Sequence, residues 1–360
     1  MRSIEWCNGK VRFLDQSLLP NTERYVETDD ETVVAQAIKT LSMRGAPLIG
    51  IAAAYGFVLA YDHNPPGDAK TFHSFVERTT HLFVSTRPTA VNLFWAVERM
   101  RRIALPLAGQ PVAAIHEALL AEAIAIHKED EEKCRLIGEH GAALLPAAAC
   151  VLTHCNTGSL ATGGDGTAQN VLKTAWELHK LKHVYMDETR PLLQGARLTA
   201  WELQQLHIPS TLITDNTAAF LLQQGKVNAI IVGADRITLE GDVANKVGTY
   251  NLAVLARHHG VPMYVAAPTT TIDFEMVSGK EIPIEQRSSL EVTRIGAQVV
   301  APAGVDVYSP AFDVTPHELI TAIVTDKGVL KPPYRAAIEA LKQLESPIPK
   351  RKSDSSRDQR

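Results

Sequence analysis

Cys155 closes an apolar run at 150–154 and precedes a loop holding Gly158, Gly163, Gly164 and Gly166. A thiol at a strand end, ahead of a helix start, is a candidate reactive group. Free N–H groups at a helix N-terminus favour an anion and lower a thiol pKa. The glycines permit unusual backbone angles and close approach of a ligand. A small buried hydrophobe accounts for the same cysteine, and local pattern leaves those two readings level. Cys7, Cys134 and Cys150 sit in apolar or helical surroundings and read as packing. Gln169 stands where a G-x-G-x-x-G fingerprint needs its third glycine, and no Gly-Lys-Ser/Thr follows. Both patterns argue against a dinucleotide site or a P-loop.

Asp235 directly follows a second apolar run, 228–234. Partial desolvation there raises a carboxyl pKa and suits a general acid or base. A turn cap or a partner for Arg236 is the plainer alternative. Asn245 and Lys246 are expected to open the next helix, where Lys246 can meet an anion. In "MDETRPLLQGARLTAWEL" (186–203), Arg190 and Gln194 lie between a strand and a helix, suited to hydroxyls or phosphate. In "MRGAPLIG" (43–50), Arg44 and Gly45 precede a helix start at Ala46-Pro47; "STRPTA" (85–90) repeats this with Arg87 and Pro88. Arginine suits bidentate phosphate recognition, and free helix amides add to it. Either arginine alone reads as a surface residue. Two such arrangements with a glycine loop point to phosphate.

These side chains need a scaffold. Asn8-Gly9 separates two short apolar stretches, a hairpin signal. Helical spacing follows at 30–42, capped by Asp29 or Asp30, then in the small-residue run after Arg44, and at 70–84, 89–103 and 111–140. From about residue 148, β-type runs (150–154, 183–188, 210–214, 228–234, 262–267) alternate with helical patterns (168–181, 196–206, 217–224, 246–259). Alternation of this kind predicts an α/β fold with a parallel sheet, whose ligands lie beyond the carboxyl ends of the strands. The chain of 360 residues is 45% hydrophobic and 21% charged, with net charge −4. This is ordinary globular composition without the basic footprint of nucleic-acid binding. Four cysteines without a CxxC pair suggest a reduced, cytoplasmic protein with no structural zinc. The start Met1-Arg2-Ser3, with Glu5 close behind, does not read as a signal peptide. No apolar run is long enough to span a membrane. The expected organisation is a mainly helical unit at 1–125, a sheet unit at 126–345, and a polar, disordered tail at 346–360.

Taken in order, "RGAPLIG", "THCNTGSLATGGDGTA", "DETRPLLQGARLTAWEL", "GADRI…GDVANKVGTYNLA", "VAAPTTTID" and "SPAFDVTP" resemble the methylthioribose-1-phosphate isomerase family. The resemblance runs from "LDQSLLP" to about Lys342. It implies a small helical N-terminal domain on a Rossmann-like C-terminal domain, a homodimer, and no nucleotide, metal or flavin cofactor. By the same resemblance, Cys155 and Asp235 carry the chemistry. Arg44, Gly45, Ala46, Arg87, Gln194, Asn245 and Lys246 hold the substrate, a small sugar phosphate. The wider family includes isomerases of 5-deoxyribose 1-phosphate and ribose 1,5-bisphosphate. It also includes regulatory subunits that bind but do not catalyse, from which loss of the cysteine–aspartate pair is expected. Three positions depart from the family pattern: Ser159 stands for an alanine, Asp165 for an aromatic and Ser309 for an asparagine.

Overall fold

In the computed structural model, which describes residues 2–87 and 90–345, Asn8 and Gly9 take left-handed angles (φ 49° and 76°). Such a turn closes a two-residue hairpin. It joins β1 (Ile4–Cys7) to β2 (Lys10–Leu14), and β3 (Tyr25–Thr28) completes a small antiparallel sheet. Pro88, at the expected second helix start, and the tail 346–360 lie outside the described residues.

Helices follow. In α1 (Glu31–Lys39), Asp30 caps the first turn by accepting from Thr32 N at 2.7 Å. In α2 (Ala46–His63), every residue from Leu48 to Tyr61 is buried, as expected of a helix apolar on all sides. Next come α3 (Ala69–Val84), α4 (Val91–Ala104) and α5 (Val112–Leu144). Gly50 lets the Asn92 backbone of α4 approach α2, since a Cβ there would lie 2.8 Å from it. At 33 residues, α5 is about 50 Å long. It packs Ile115 and Leu119 into the helical core and Ile137 and Ala142 into the sheet core, so the expected division at 125/126 falls inside one helix.

Beyond α5 the chain alternates: β4 (Ala149–Thr153), α6 (Ala168–Glu177), β5 (Leu181–Asp187), α7 (Ala200–Gln205), β6 (Ser210–Ile213), α8 (Thr217–Gln223) and β7 (Ala229–Val232). Two short strands, β8 (Arg236–Ile237) and β9 (Val243–Lys246), precede α9 (Thr249–His259) and β10 (Met263–Ala266). The remainder comprises α10 (Leu290–Thr293), β11 (Arg294–Ile295), β12 (Gln298–Val299), β13 (Phe312–Thr315), β14 (Ala322–Thr325), β15 (Gly328–Leu330) and α11 (Tyr334–Glu345). The main sheet runs β6-β5-β4-β7-β10-β14-β15, parallel except for β15. This is the doubly wound order, whose direction of winding reverses between β4 and β7. Ligands sit at such a reversal, beyond the strand ends. The two central strands read AIIV and ACVLT, the continuous apolar runs of strands covered on both faces.

A second, antiparallel sheet, β13-β9-β8, lies beside those strand ends. It corrects one expectation. Asn245 and Lys246 do not open a helix; they end β9, paired with Asp313 and Phe312. Gly248, at φ 108°, turns the chain, and α9 starts only at Thr249. Pairing with a segment more than sixty residues away outweighs the local helical pattern.

Candidate active site

The reversal between β4 and β7 puts Cys155 and Asp235 at the ends of neighbouring strands. Thr153 Oγ1 fastens them by donating to Ile231 O at 2.8 Å. Both residues line one cavity of about 100 Å³. Arg44, Gly45 and Ala46 enter it from the start of α2, Arg87 from the end of α3, Gln194 from the loop after β5, and Asn245 and Lys246 from β9. All nine residues expected at the site from the sequence line this cavity. Arg190 does not: it donates to Pro191 O (3.0 Å) and Val292 O (2.9 Å).

The backbone aims Cys155. Its φ is 64°, and two threonines hold its peptide groups. Its N–H donates to Thr189 Oγ1 at 2.9 Å, and Thr199 Oγ1 donates to its carbonyl at 2.6 Å. Behind it, His154 ties three strand ends together. Its Nδ1 bonds Asp187 at 2.8 Å, and its Nε2 donates to Val247 O at 3.0 Å. Burial works against a charged His154 ring. The hydrogen-bonded Asp187 carboxylate, with Asp215 beyond, outweighs it and raises the pKa. Gly248 must be glycine here, since a Cβ would lie 2.8 Å from that ring.

Asp235 reaches the cavity but is otherwise hemmed in by protein. Burial raises its pKa, against the opposing pull of Lys246, Arg87 and Arg44. Lys246 is lowered by burial, with Cys155 and Asp235 acting the other way. Its Nζ donates to Ala311 O at 2.7 Å and stands 4.8 Å from the centre of the Phe312 ring. Arg44 donates from one terminal nitrogen to Asn156 O (3.0 Å) and Oδ1 (2.6 Å). Asn156 is in turn held by Glu202, which also accepts from Ser159 Oγ and Leu160 N. Three polar atoms of the lining are buried without a partner among the described residues: Arg44 Nε, Arg87 Nε and Gln194 Oε1. Buried groups of this kind call for a ligand or ordered water.

The glycine loop differs from its expected role. None of Gly158, Gly163, Gly164 and Gly166 lines the cavity. They admit protein instead of ligand. A Cβ would strike the Glu202 carboxylate at Gly158 (2.5 Å from Oε1), the His127 ring at Gly163 (2.6 Å) and Cys134 at Gly164 (2.9 Å). The Gly163 peptide is gripped from α5 on both sides. Its N–H donates to Asp130 (2.7 Å), and His127 Nε2 donates to its carbonyl (3.2 Å). The helix N-terminus that lines the cavity is that of α2, whose cap Gly45 has φ 104° and abuts Ala161. The α9 N-terminus is closed by Asp313, which accepts from Gly248 N (2.7 Å) and Tyr250 N (3.1 Å).

The segment 282–291 went unnoticed in the sequence. Arg287 lines the cavity, and Glu285 bridges Arg87 (3.2 Å) and Arg287 (2.8 Å). An adjoining recess of about 40 Å³ shares Arg87, Asp235 and Phe312 with the cavity and adds Ile49, Ala90, Ile282 and Pro283. Phe94 and Trp95 line a separate groove. His154, Asp187 and Asp215 offer ligand atoms close enough for a metal. However, both His154 nitrogens serve protein partners, and the Asp215 oxygens accept from Thr189 N and Arg190 N. This grouping is a hydrogen-bond network.

Fold and site together define a member of the initiation factor 2 subunit family: the chain belongs to it, with residues 42–332 matching the family model. Within that family it is similar to the methylthioribose-1-phosphate isomerase of Chloroflexus aurantiacus, 52% identical over 346 residues (96% of this chain and 99% of that one). It is 51% identical over 335 residues to the 5-deoxyribose 1-phosphate isomerase of Moorella thermoacetica (93% and 95%). The crystal structure of 5-methylthioribose 1-phosphate isomerase from Pyrococcus horikoshii superposes with a TM-score of 0.89 at 45% identity, covering 95% of this chain and 96% of that one.

Proposed function

We propose that the protein is an aldose–ketose isomerase converting 5-methylthioribose 1-phosphate to 5-methylthioribulose 1-phosphate in methionine salvage. The observation that carries this reading is the ring of buried, unpartnered Arg44, Arg87 and Gln194 atoms around Cys155 and Asp235. A phosphate and sugar hydroxyls would complete those hydrogen bonds. The recess beside Asp235 is lined by Ile49, Ile282, Pro283 and Phe312 as well as by Arg87 and Arg236, and its apolar wall suits an uncharged group at C5. A methylthio or a methyl group fits that chemistry, so 5-deoxyribose 1-phosphate is the nearest alternative substrate.

The phosphate on the anomeric oxygen blocks ordinary opening of the ring to an aldehyde. Asp235, whose protonated form burial favours, donates to the ring oxygen as the ring opens. Hydrogen then passes from C2 to C1. By one route Cys155 takes the C2 proton and returns it to C1 through an enolate, while Asp235 takes the C2 hydroxyl proton. By the other, hydride shifts directly and Cys155 steadies the charged centre. Arg44, Gly45, Ala46, Arg87, Gln194, Asn245 and Lys246 hold the sugar phosphate and exclude water.

We further read the chain as an N-terminal domain at 1–125 and a catalytic domain at 126–345, and the protein as a cytoplasmic homodimer without nucleic-acid or membrane partners. Among the described residues, no helix is long and apolar enough to cross a membrane.

The test is turnover of methylthioribose 1-phosphate by purified protein in deuterated water. Ketose formation is expected. Deuterium at C1 of the product selects the proton route, and its absence favours hydride shift. Turnover of 5-deoxyribose 1-phosphate alone reassigns the substrate. No turnover of any pentose 1-phosphate refutes the enzyme and favours a binding subunit.

A further inference from the structure

The segment 285–287 is laid along 309–311 by main-chain bonds. Arg287 N donates to Ser309 O (2.8 Å), and Ala311 N donates to Glu285 O (2.9 Å). In an extended segment, residues two apart share a face. Glu285 and Arg287 therefore stand side by side, and Glu285 reaches across to Arg87, 198 residues earlier in the chain. Glu291, from the next helical turn, meets Arg287 through two nitrogens (2.6 and 2.9 Å).

The cations around the cavity therefore fall into two kinds. Arg87 and Arg287 are matched by the carboxylates Glu285 and Glu291. Glu285 stays ionised: burial works to raise its pKa, but Arg87 and Arg287 outweigh it and lower it. Arg44 and Lys246 form no salt bridge among the described residues; they bond Asn156 and Ala311, which are neutral groups. Burial disfavours the charged forms of both Asp235 and Lys246. Of the four cations lining the cavity, Arg44 and Lys246 are thus the two without a carboxylate partner among the described residues, a pair suited to one phosphate monoester, which carries about −1.5 to −2 at neutral pH.

We propose that Glu285 is a specificity-determining residue: with Glu291 it neutralises Arg87 and Arg287, so that the cavity accepts a sugar bearing one phosphate and rejects a second. A bisphosphate would bring unmatched negative charge into a half-buried space beside two carboxylates. Unpaired charge of this kind discriminates between ligands of the same shape. The same segment supplies Ile282 and Pro283 to the recess, so one stretch of chain gives apolar contacts to an uncharged C5 group and, through Glu285, neutralises the Arg87 that also lines it. The proposal rests on the sugar-phosphate reading above.

Ribitol 1-phosphate and ribitol 1,5-bisphosphate have no carbonyl to isomerise, so their Kd values can be measured by calorimetry on the intact protein. Wild type is expected to prefer the monophosphate. Glu285→Gln removes one unit charge near the ligand and should move the ratio of the two Kd values about tenfold toward the bisphosphate. Glu291→Gln should move it the same way through Arg287, and it carries the test if Glu285→Gln does not fold. A ratio within twofold of wild type in the folded variants overturns the proposal. Equal weakening of both ligands also overturns it, leaving Glu285 as a prop for Arg87. Because the ratio is read from binding, a wild type that discriminates but turns over no pentose 1-phosphate refutes the enzyme reading alone.

Discussion

Asp130 offers a prediction whose size follows from its position. It lies on α5 with 7% of its surface exposed, and its carboxylate accepts from Gly163 N in the loop that carries Asn156 and Thr157 to the cavity. Burial pushes its pKa from 3.8 to about 6. A group whose pKa is higher in the folded than in the unfolded chain stabilises most when protonated in both, and that contribution is lost as pH rises through the folded value. The difference of about two units corresponds to roughly 3 kcal/mol lost between about pH 4 and pH 7. The Asp130→Asn substitution keeps a side-chain oxygen for Gly163 N and removes the titration. The stability of this variant relative to wild type should therefore grow by up to about 3 kcal/mol across that window. Urea unfolding at several pH values, followed by far-UV circular dichroism, reads the difference directly. A constant difference from pH 4 to 7 refutes the reasoning, because it would mean that the Asp130 carboxylate is solvated or paired.

Other outcomes follow from the same geometry. Cys155→Ser and Asp235→Asn should each lower kcat by ~10²–10⁴-fold with unfolding midpoints preserved; kcat within threefold of wild type removes the residue from the chemistry. If Asp235 acts as an acid, the rate falls as pH rises through its raised pKa, and Asp235→Asn should lack that alkaline limb. Arg44→Ala should raise KM by roughly 10–100-fold through lost charge-assisted hydrogen bonds, and KM within twofold of wild type refutes the clamp. Gly248→Ala places a Cβ 2.8 Å from the buried His154 ring at a φ of 108°. It should destabilise by ~2–5 kcal/mol in urea titration, so a loss below about 0.5 kcal/mol means the turn relaxes freely.

Periodicity made the elements legible. The spacing at 70–84 and 111–140 predicts α3 and α5 to within a few residues, and the apolar runs mark five strands of the main sheet. The rule that ligands gather beyond strand ends then located Cys155 and Asp235. What escaped was set by contacts between distant parts of the chain. Asn245 and Lys246 carry a helical pattern but pair with Phe312 and Asp313. The glycines of 158–166 looked like a ligand cradle, yet their partners are Glu202, His127 and Cys134, residues no local window contains. Arg287 sits in a segment with no period, and its place at the cavity depends on 309–311. An alternating Glu-x-Arg was the one available hint.

Cys155 is held in a backbone conformation that asparagine and glycine adopt more readily than a cysteine does. The left-handed angle costs an ordinary side chain about 1 kcal/mol. The thiol is therefore kept at this position against a local gradient, and replacement by glycine or asparagine relieves it. Stability and the proposed chemistry therefore pull in opposite directions at one residue: Cys155→Asn relieves the backbone cost and removes the thiol that the isomerisation would need.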